Sequence, residues 1–146
     1  MIMKFLFRML VLNVSLICLI SCRGTYSPPL PIPSNVAAFD KPALSYSGLY
    51  QLKIIPTTQG QIEGINFQIL SAKSGDVLFD PRAFFRTRDM VVVLWDSKDR
   101  VWIYSGDVGT TIWENIDGEK EWKMKNYDSQ TDIPPEYLKA IRPKIF

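Results

Sequence analysis

Apolar residues are distributed in three different ways along this chain. A short apolar block from Met9 to Leu19 follows Lys4 and Arg8. From Arg23 to about Ser47 prolines and serines stand without apolar periodicity. From Gly48 to Phe146 alternating, β-branched and aromatic runs recur between turn residues, which is the pattern of β structure. The clearest element is a hairpin: Met90-Val91-Val92-Val93-Leu94-Trp95 runs out, Asp96-Ser97-Lys98-Asp99 supplies turn chemistry, and Arg100-Val101-Trp102-Ile103-Tyr104-Ser105 returns. Both of its strands are apolar on both faces, which predicts a place in the centre of a sheet covered on two sides.

A second hairpin is predicted from Thr110 to Glu114 and from Glu121 to Met124, turning through Asp117-Gly118. In its return strand Trp122 and Met124 alternate with Glu121, Lys123 and Lys125, as in a strand half buried and half wet. Leu49 to Ile55 and Ile62 to Leu70 read as strands around a Pro56 to Gly60 turn, and Val77 to Phe79 adds a short one. Near the end, Pro134-Pro135-Glu136 opens a short helix that Pro143 stops. There Tyr137, Leu138 and Ile141 face the sheet, and Lys139 and Arg142 face water. The fold expected is mostly β: a small antiparallel sandwich or barrel-like domain of about six or seven strands with one C-terminal helix.

The N-terminal block is too short to span a bilayer comfortably. A transmembrane helix needs about 20 apolar residues, and Phe5 to Ile20 approaches that only with Arg8, Asn13 and Ser15 inside it. A cleaved export signal over residues 1–21 is the more economical reading. It ends in Leu19-Ile20-Ser21-Cys22, which resembles the lipobox of bacterial lipoproteins. That resemblance covers the signal alone. It implies lipid on the Cys22 thiol, cleavage after Ser21 and acylation of the new amino terminus. With Arg rather than Asp at position 23, it also implies a cell envelope location at the outer membrane. More than one acyl chain is what makes such an anchor lasting, since each buried CH₂ contributes only about 0.8 kcal/mol.

Cleavage leaves 146 − 21 = 125 residues, enough for one domain and a tail. Residues 22–47 then read as a lipidated N-terminus and proline-rich tether, and 48–146 as a single β-rich domain. Pro28, Pro29, Pro31, Pro33 and Pro42 favour extended chain at about 3.1 Å per residue, which gives a reach of about 60 Å. Pro28 to Pro31 also fits the short P-x-x-P pattern, for which the spacer reading is the simpler one, and Val36 to Phe39 has the apolarity to dock on the domain. Without Lys4 and Arg8 the mature chain carries 17 − 2 = 15 basic and 15 acidic residues. It has no basic excess to attract nucleic acid. Cys18, the only other cysteine, leaves with the signal, so disulfides do not support the fold.

The chain contains no histidine and no glycine-rich phosphate loop or nucleophile-elbow pattern. Carboxylates remain as possible acids, bases or calcium ligands, and Asp96, Asp99 and Asp107 cluster around the central hairpin in sequence. Aspartates at turns also cap backbone amides, which is the simpler role. Trp95, Trp102, Trp113 and Trp122 are candidates for a ligand surface, but each lies in a predicted strand of a domain that needs large core side chains. Arg82, Arg86 and Arg88 around Phe84 and Phe85 form a basic and aromatic group able to touch an anionic surface, with Asp80 and Asp89 offsetting it.

Two functional classes follow. The favoured one is a non-catalytic envelope lipoprotein with a protein partner, as an accessory piece of an envelope or secretion assembly or as a periplasmic immunity factor. It requires no cofactor and no metal. The alternative is a small glycan- or cell-wall-binding protein or enzyme that uses carboxylates and aromatics.

Overall fold

The first long hairpin sets the height of the molecule. In the computed structural model, which describes residues 29–116 and 121–146, β2 (Tyr50–Gln59) pairs with β3 (Ile62–Ser71) along all ten residues. The sequence pattern places the turn between them at Pro56 to Gly60. Instead Pro56 lies inside β2 opposite Ile65, and the turn is Gly60-Gln61. Proline is tolerated there because β1 (Ala43–Leu44), on the other side of β2, pairs only with Gln51 and Leu52. Nothing demands the amide hydrogen that Pro56 lacks. Gly60, at φ +61°, takes the left-handed conformation that so tight a turn requires.

On its far edge β3 meets two short pieces, β4 (Val77–Phe79) and β5 (Phe85–Arg86). Between them the chain leaves the ladder, and side chains take over its hydrogen bonds. Asn66 and Gln68 donate to the two Asp80 carboxylate oxygens at 2.7 and 2.8 Å, and the Ala83 amide donates to Asn66 Oδ1 at 3.0 Å. These side-chain amides, Gln68 first, hold the Asp80 carboxyl below its ordinary range.

The second sheet runs in sequence order: β6 (Val91–Trp95), β7 (Val101–Ser105), β8 (Gly109–Asn115) and β9 (Trp122–Asn126), all antiparallel. The hairpin from β6 to β7 forms as its pattern predicts, and so does the pairing of β8 with β9. The predicted Asp117-Gly118 turn lies outside the described residues. Val93, Trp95, Val101 and Ile103 point into the space between the sheets, against Leu52, Ile54, Ile65, Phe67 and Ile69. The alternate residues Leu94, Trp102, Tyr104 and Ile112 form a second core on the opposite face, closed by Val36 and by Leu138 of α1 (Glu136–Ile141). This sheet is therefore covered on both sides, which is why its strands read as continuous apolar runs. The fold is a two-sheet antiparallel β sandwich with one short C-terminal helix.

Two details depart from the sequence expectations. By strand order β6 is an edge, but Asn35 to Ala37 lie along it: the Trp95 amide donates to the Asn35 carbonyl at 3.0 Å and the Ala37 amide to Val93 at 2.9 Å. Ala43 in β1 is fully buried. The compact unit accordingly begins at Pro31, and residues 34–47, grouped by composition with the tether, belong to the sandwich. Pro33 and Pro42 obscure these pieces in the sequence, and each is too short to show a period. Second, Met124 shares its strand and face with the buried Trp122 yet is exposed.

The β7–β8 turn offers a direct test of backbone packing. The Gly106 amide donates to the Asp89 carbonyl at 2.8 Å, and a β-carbon at Gly106 would run into that same oxygen. Gly106→Ala is expected to lower stability by about 1–3 kcal/mol, read as a lower urea midpoint at unchanged slope.

Candidate functional site

The carboxylates singled out from the sequence do not converge. Asp96 and Asp99 sit in the β6–β7 turn and Asp107 in the β7–β8 turn, at opposite ends of β7. Five residues of strand rise separate the two groups by about 16 Å. The proximity suggested by their spacing is removed by the extended strand β7, which lies between them.

Asp96 is committed to its own hairpin. One oxygen accepts the Lys98 and Arg100 amides at 2.9 and 3.0 Å; the other accepts Arg100 Nε at 2.7 Å and the Trp102 indole at 2.8 Å. A buried indole N–H needs an acceptor, and Asp96 supplies it. Asp99, at φ +57°, accepts the Ser47 amide at 3.0 Å and so ties the β1–β2 turn to the β6–β7 turn.

Arg100 continues the network. Its guanidinium lies over the Trp102 ring, 5.6 Å from the centroid, and its Nη1 donates to Asp132 at 3.1 Å. Asp132 also accepts Lys125 Nζ at 2.7 Å and the Asp128 amide at 3.2 Å, and its side chain is 2% exposed. Burial alone disfavours the charged form of Asp132. Lys125, the Asp128 amide and Arg100 outweigh that cost and hold its carboxyl below the ordinary range. Sequence reasoning did not single out Arg100 or Asp132. The i,i+4 pair Asp96 and Arg100 was legible in a short turn, but Asp132 lies 32 residues beyond Arg100 and nothing local signals the contact.

Above this charged floor is a cleft of about 800 Å³ between the β1–β2 turn and the loop that leads into α1. Leu44, Tyr46, Ile133 and Pro134 line it beside Asp96 and Arg100. Tyr46 and Ile133 are 80% and 78% exposed. Asp96 and Arg100 are spent within the network, so the rim offers an outside molecule the apolar surface of Tyr46 and Ile133 together with the exposed Lys98 and Glu136.

At the other end of the sandwich Arg86 is neutralised by Asp89 at 2.7 Å and Asp107 at 2.6 Å. Asp107 is held below its ordinary range by the Ser105 hydroxyl and by Arg86. Arg88 is 73% exposed and 3.6 Å from Asp89, and Arg82 is exposed. Phe85 is buried, and Phe84 lies over Gly64. The three arginines therefore form no continuous cationic patch. Trp95, Trp102 and Trp122 are buried, and Trp113 packs on Phe67 and Phe79 at 5.7 and 5.4 Å between ring centres. The four tryptophans are core residues. Among the described residues no three His, Cys, Asp or Glu side chains are grouped to hold a metal ion; Cys22 and Pro28 lie outside those residues.

Asp132→Ala removes the acceptor shared by Arg100 and Lys125, and a loss of about 2–4 kcal/mol in urea unfolding is expected. The pH dependence follows from the lowered Asp132 carboxyl. Its contribution is complete above the unfolded value of about 3.9 and drains away as pH falls through the lower folded value. Between about pH 5 and pH 3 the native midpoint should fall more steeply than that of Asp132→Asn.

No family model, no curated protein and no solved structure matches this chain.

Proposed function

We propose that this chain is a bacterial envelope lipoprotein, acylated at Cys22 and held at the outer membrane, whose β sandwich binds a protein partner without performing chemistry. It would serve an envelope or secretion assembly, or act as a periplasmic immunity factor. The observation that carries the non-catalytic reading is the state of the carboxylates. Asp96, Asp107 and Asp132 each spend their oxygens on backbone amides, arginine, lysine, serine or an indole within the fold. A general acid or base must instead be able to exchange a proton with a substrate.

The partner surface best suited to this role is the side of the sandwich on which both sheets end. There β4 and β9 face each other through Phe79, whose ring is 6.3 Å from that of Trp122. Both strands are edges, and Val77, Leu78 and Met124 are exposed on them. The opposite side is closed by Asn35 to Ala37 along β6. Exposed apolar side chains beside edge strands are suited to packing against another protein. The glycan reading loses its aromatic platform once the four tryptophans are counted as core.

The test is recovery of the acylated chain from its own envelope with intact-mass analysis of its N-terminus. Acylated Cys22 with one stoichiometric protein partner is expected. Leu78→Asp with Met124→Asp should abolish co-recovery while the unfolding midpoint stays within about 0.5 kcal/mol of native, as for other surface changes. Co-recovery unchanged in that variant rejects the proposed surface, and sedimentation of the chain with purified cell wall in place of a protein favours the glycan reading. Cys22→Ala should leave the precursor uncleaved by the lipoprotein route and free of acyl label.

A further inference from the structure

The chain joins the sandwich at one end. Asn35 pairs with Trp95 and Ala37 with Val93, so the segment runs antiparallel to β6 and Ser34 lies beside the β6–β7 turn. The Ser47 contact with Asp99 brings the β1–β2 turn to this end, and the Arg100 contact with Asp132 brings the loop before α1. Ile32, Tyr46, Leu49 and Ile133 are all exposed here.

Cys22 is 34 − 22 = 12 residues before Ser34. Fully extended, those residues span at most about 40 Å, less than the reach estimated when the tether was taken to Ser47. The ten-residue strands β2 and β3 rise about 33 Å. An anchor at Cys22 therefore confines this end of the domain to within about one domain height of the bilayer.

We propose that this end docks on the membrane that carries the Cys22 lipid, with Tyr46, Leu49 and Ile133 entering the headgroup layer. The inference rests on the lipoprotein reading. A tyrosine ring has an apolar body and a polar tip and is favoured at the boundary between water and hydrocarbon, and Tyr46 and Ile133 line one cleft at this end. Exposed apolar side chains alone do not select the end, since Val108 in the β7–β8 turn is also exposed. The point of attachment favours this end, because the far end meets the bilayer only when the tether is drawn out to about 33 Å of its roughly 40 Å reach. Docking in this orientation leaves the β4 and β9 side free for a protein.

The test uses the full acylated chain in vesicles of phosphatidylethanolamine and phosphatidylglycerol that contain a lipid with a nitroxide near its headgroup. Single cysteines replace Tyr46, Ile133 or Val108 and carry a thiol-linked fluorophore. All three side chains are exposed, so core contacts survive the substitutions. Lipid quenching severalfold stronger at positions 46 and 133 than at 108 is expected. Equal quenching at all three, or stronger quenching at 108, overturns the proposal. Protection of 46 and 133 from aqueous iodide without lipid quenching also overturns it and assigns the end to contact with a second copy. Intact mass of the same sample separates the two readings: acylated Cys22 without selective quenching rejects docking alone, whereas unmodified Cys22 rejects both.

Discussion

Trp95, at the end of β6, is where both sheets and the incoming chain are joined. Its ring is fully buried between the sheets, 6.1 Å from Tyr50 and 5.9 Å from Trp122. Its indole N–H donates to the Ala43 carbonyl at 3.0 Å, which binds the edge of the first sheet to the second. Its backbone amide donates to Asn35, and its carbonyl accepts the Asn35 side chain at 2.7 Å. One residue thus secures the packing of the two layers, the short strand β1 and the segment that covers the β6 edge. An aromatic of this size, with its polar atom satisfied, lets a small domain without disulfides hold two sheets together.

Most of what was legible repeats on one face, or both, over at least five residues, and the three-residue β4 was read from its apolar run Val77 to Phe79. The β6–β7 hairpin declared itself through continuous apolar strands, and the helix through Tyr137, Leu138 and Ile141. Leu138 is fully buried as that spacing requires, and Tyr137 and Ile141 pack beside it. The pieces not read as strands, β1 and β5, are two residues long, and Val36, read from the sequence only as part of a segment apolar enough to dock, is buried where Asn35 to Ala37 line β6. No period exists at that length, and their neighbouring prolines suggest loop. The Gly60-Gln61 turn was displaced in prediction because Pro56 is the stronger turn signal, although a proline on the unpaired side of a strand costs no hydrogen bond.

The site was less legible than the fold because contacts distant in sequence decide it. Asp96, Asp99 and Asp107 are near one another in the chain and apart in space, whereas Asp96, Arg100, Lys125 and Asp132 are spread over 37 positions and meet in one network. In it two carboxylates oppose two cations, and Trp102 supplies a further donor. Such clusters fix the relative position of the turns around them, because a charge left without its partner in a low-dielectric setting is costly. The cluster therefore gives the rim of the cleft a defined shape, and its residues act on any bound molecule through the loops they hold in place.

The direction in which the N-terminal segment lies along β6 has a mechanical meaning. The chain enters beside the β6–β7 turn and passes lengthwise down the strand, so a pull applied to its N-terminal side in that direction acts along the strand axis. The Asn35 and Ala37 backbone hydrogen bonds and the Asn35 side-chain bond are then loaded together, in shear. A segment laid in the opposite sense would be peeled from its end, one bond after another.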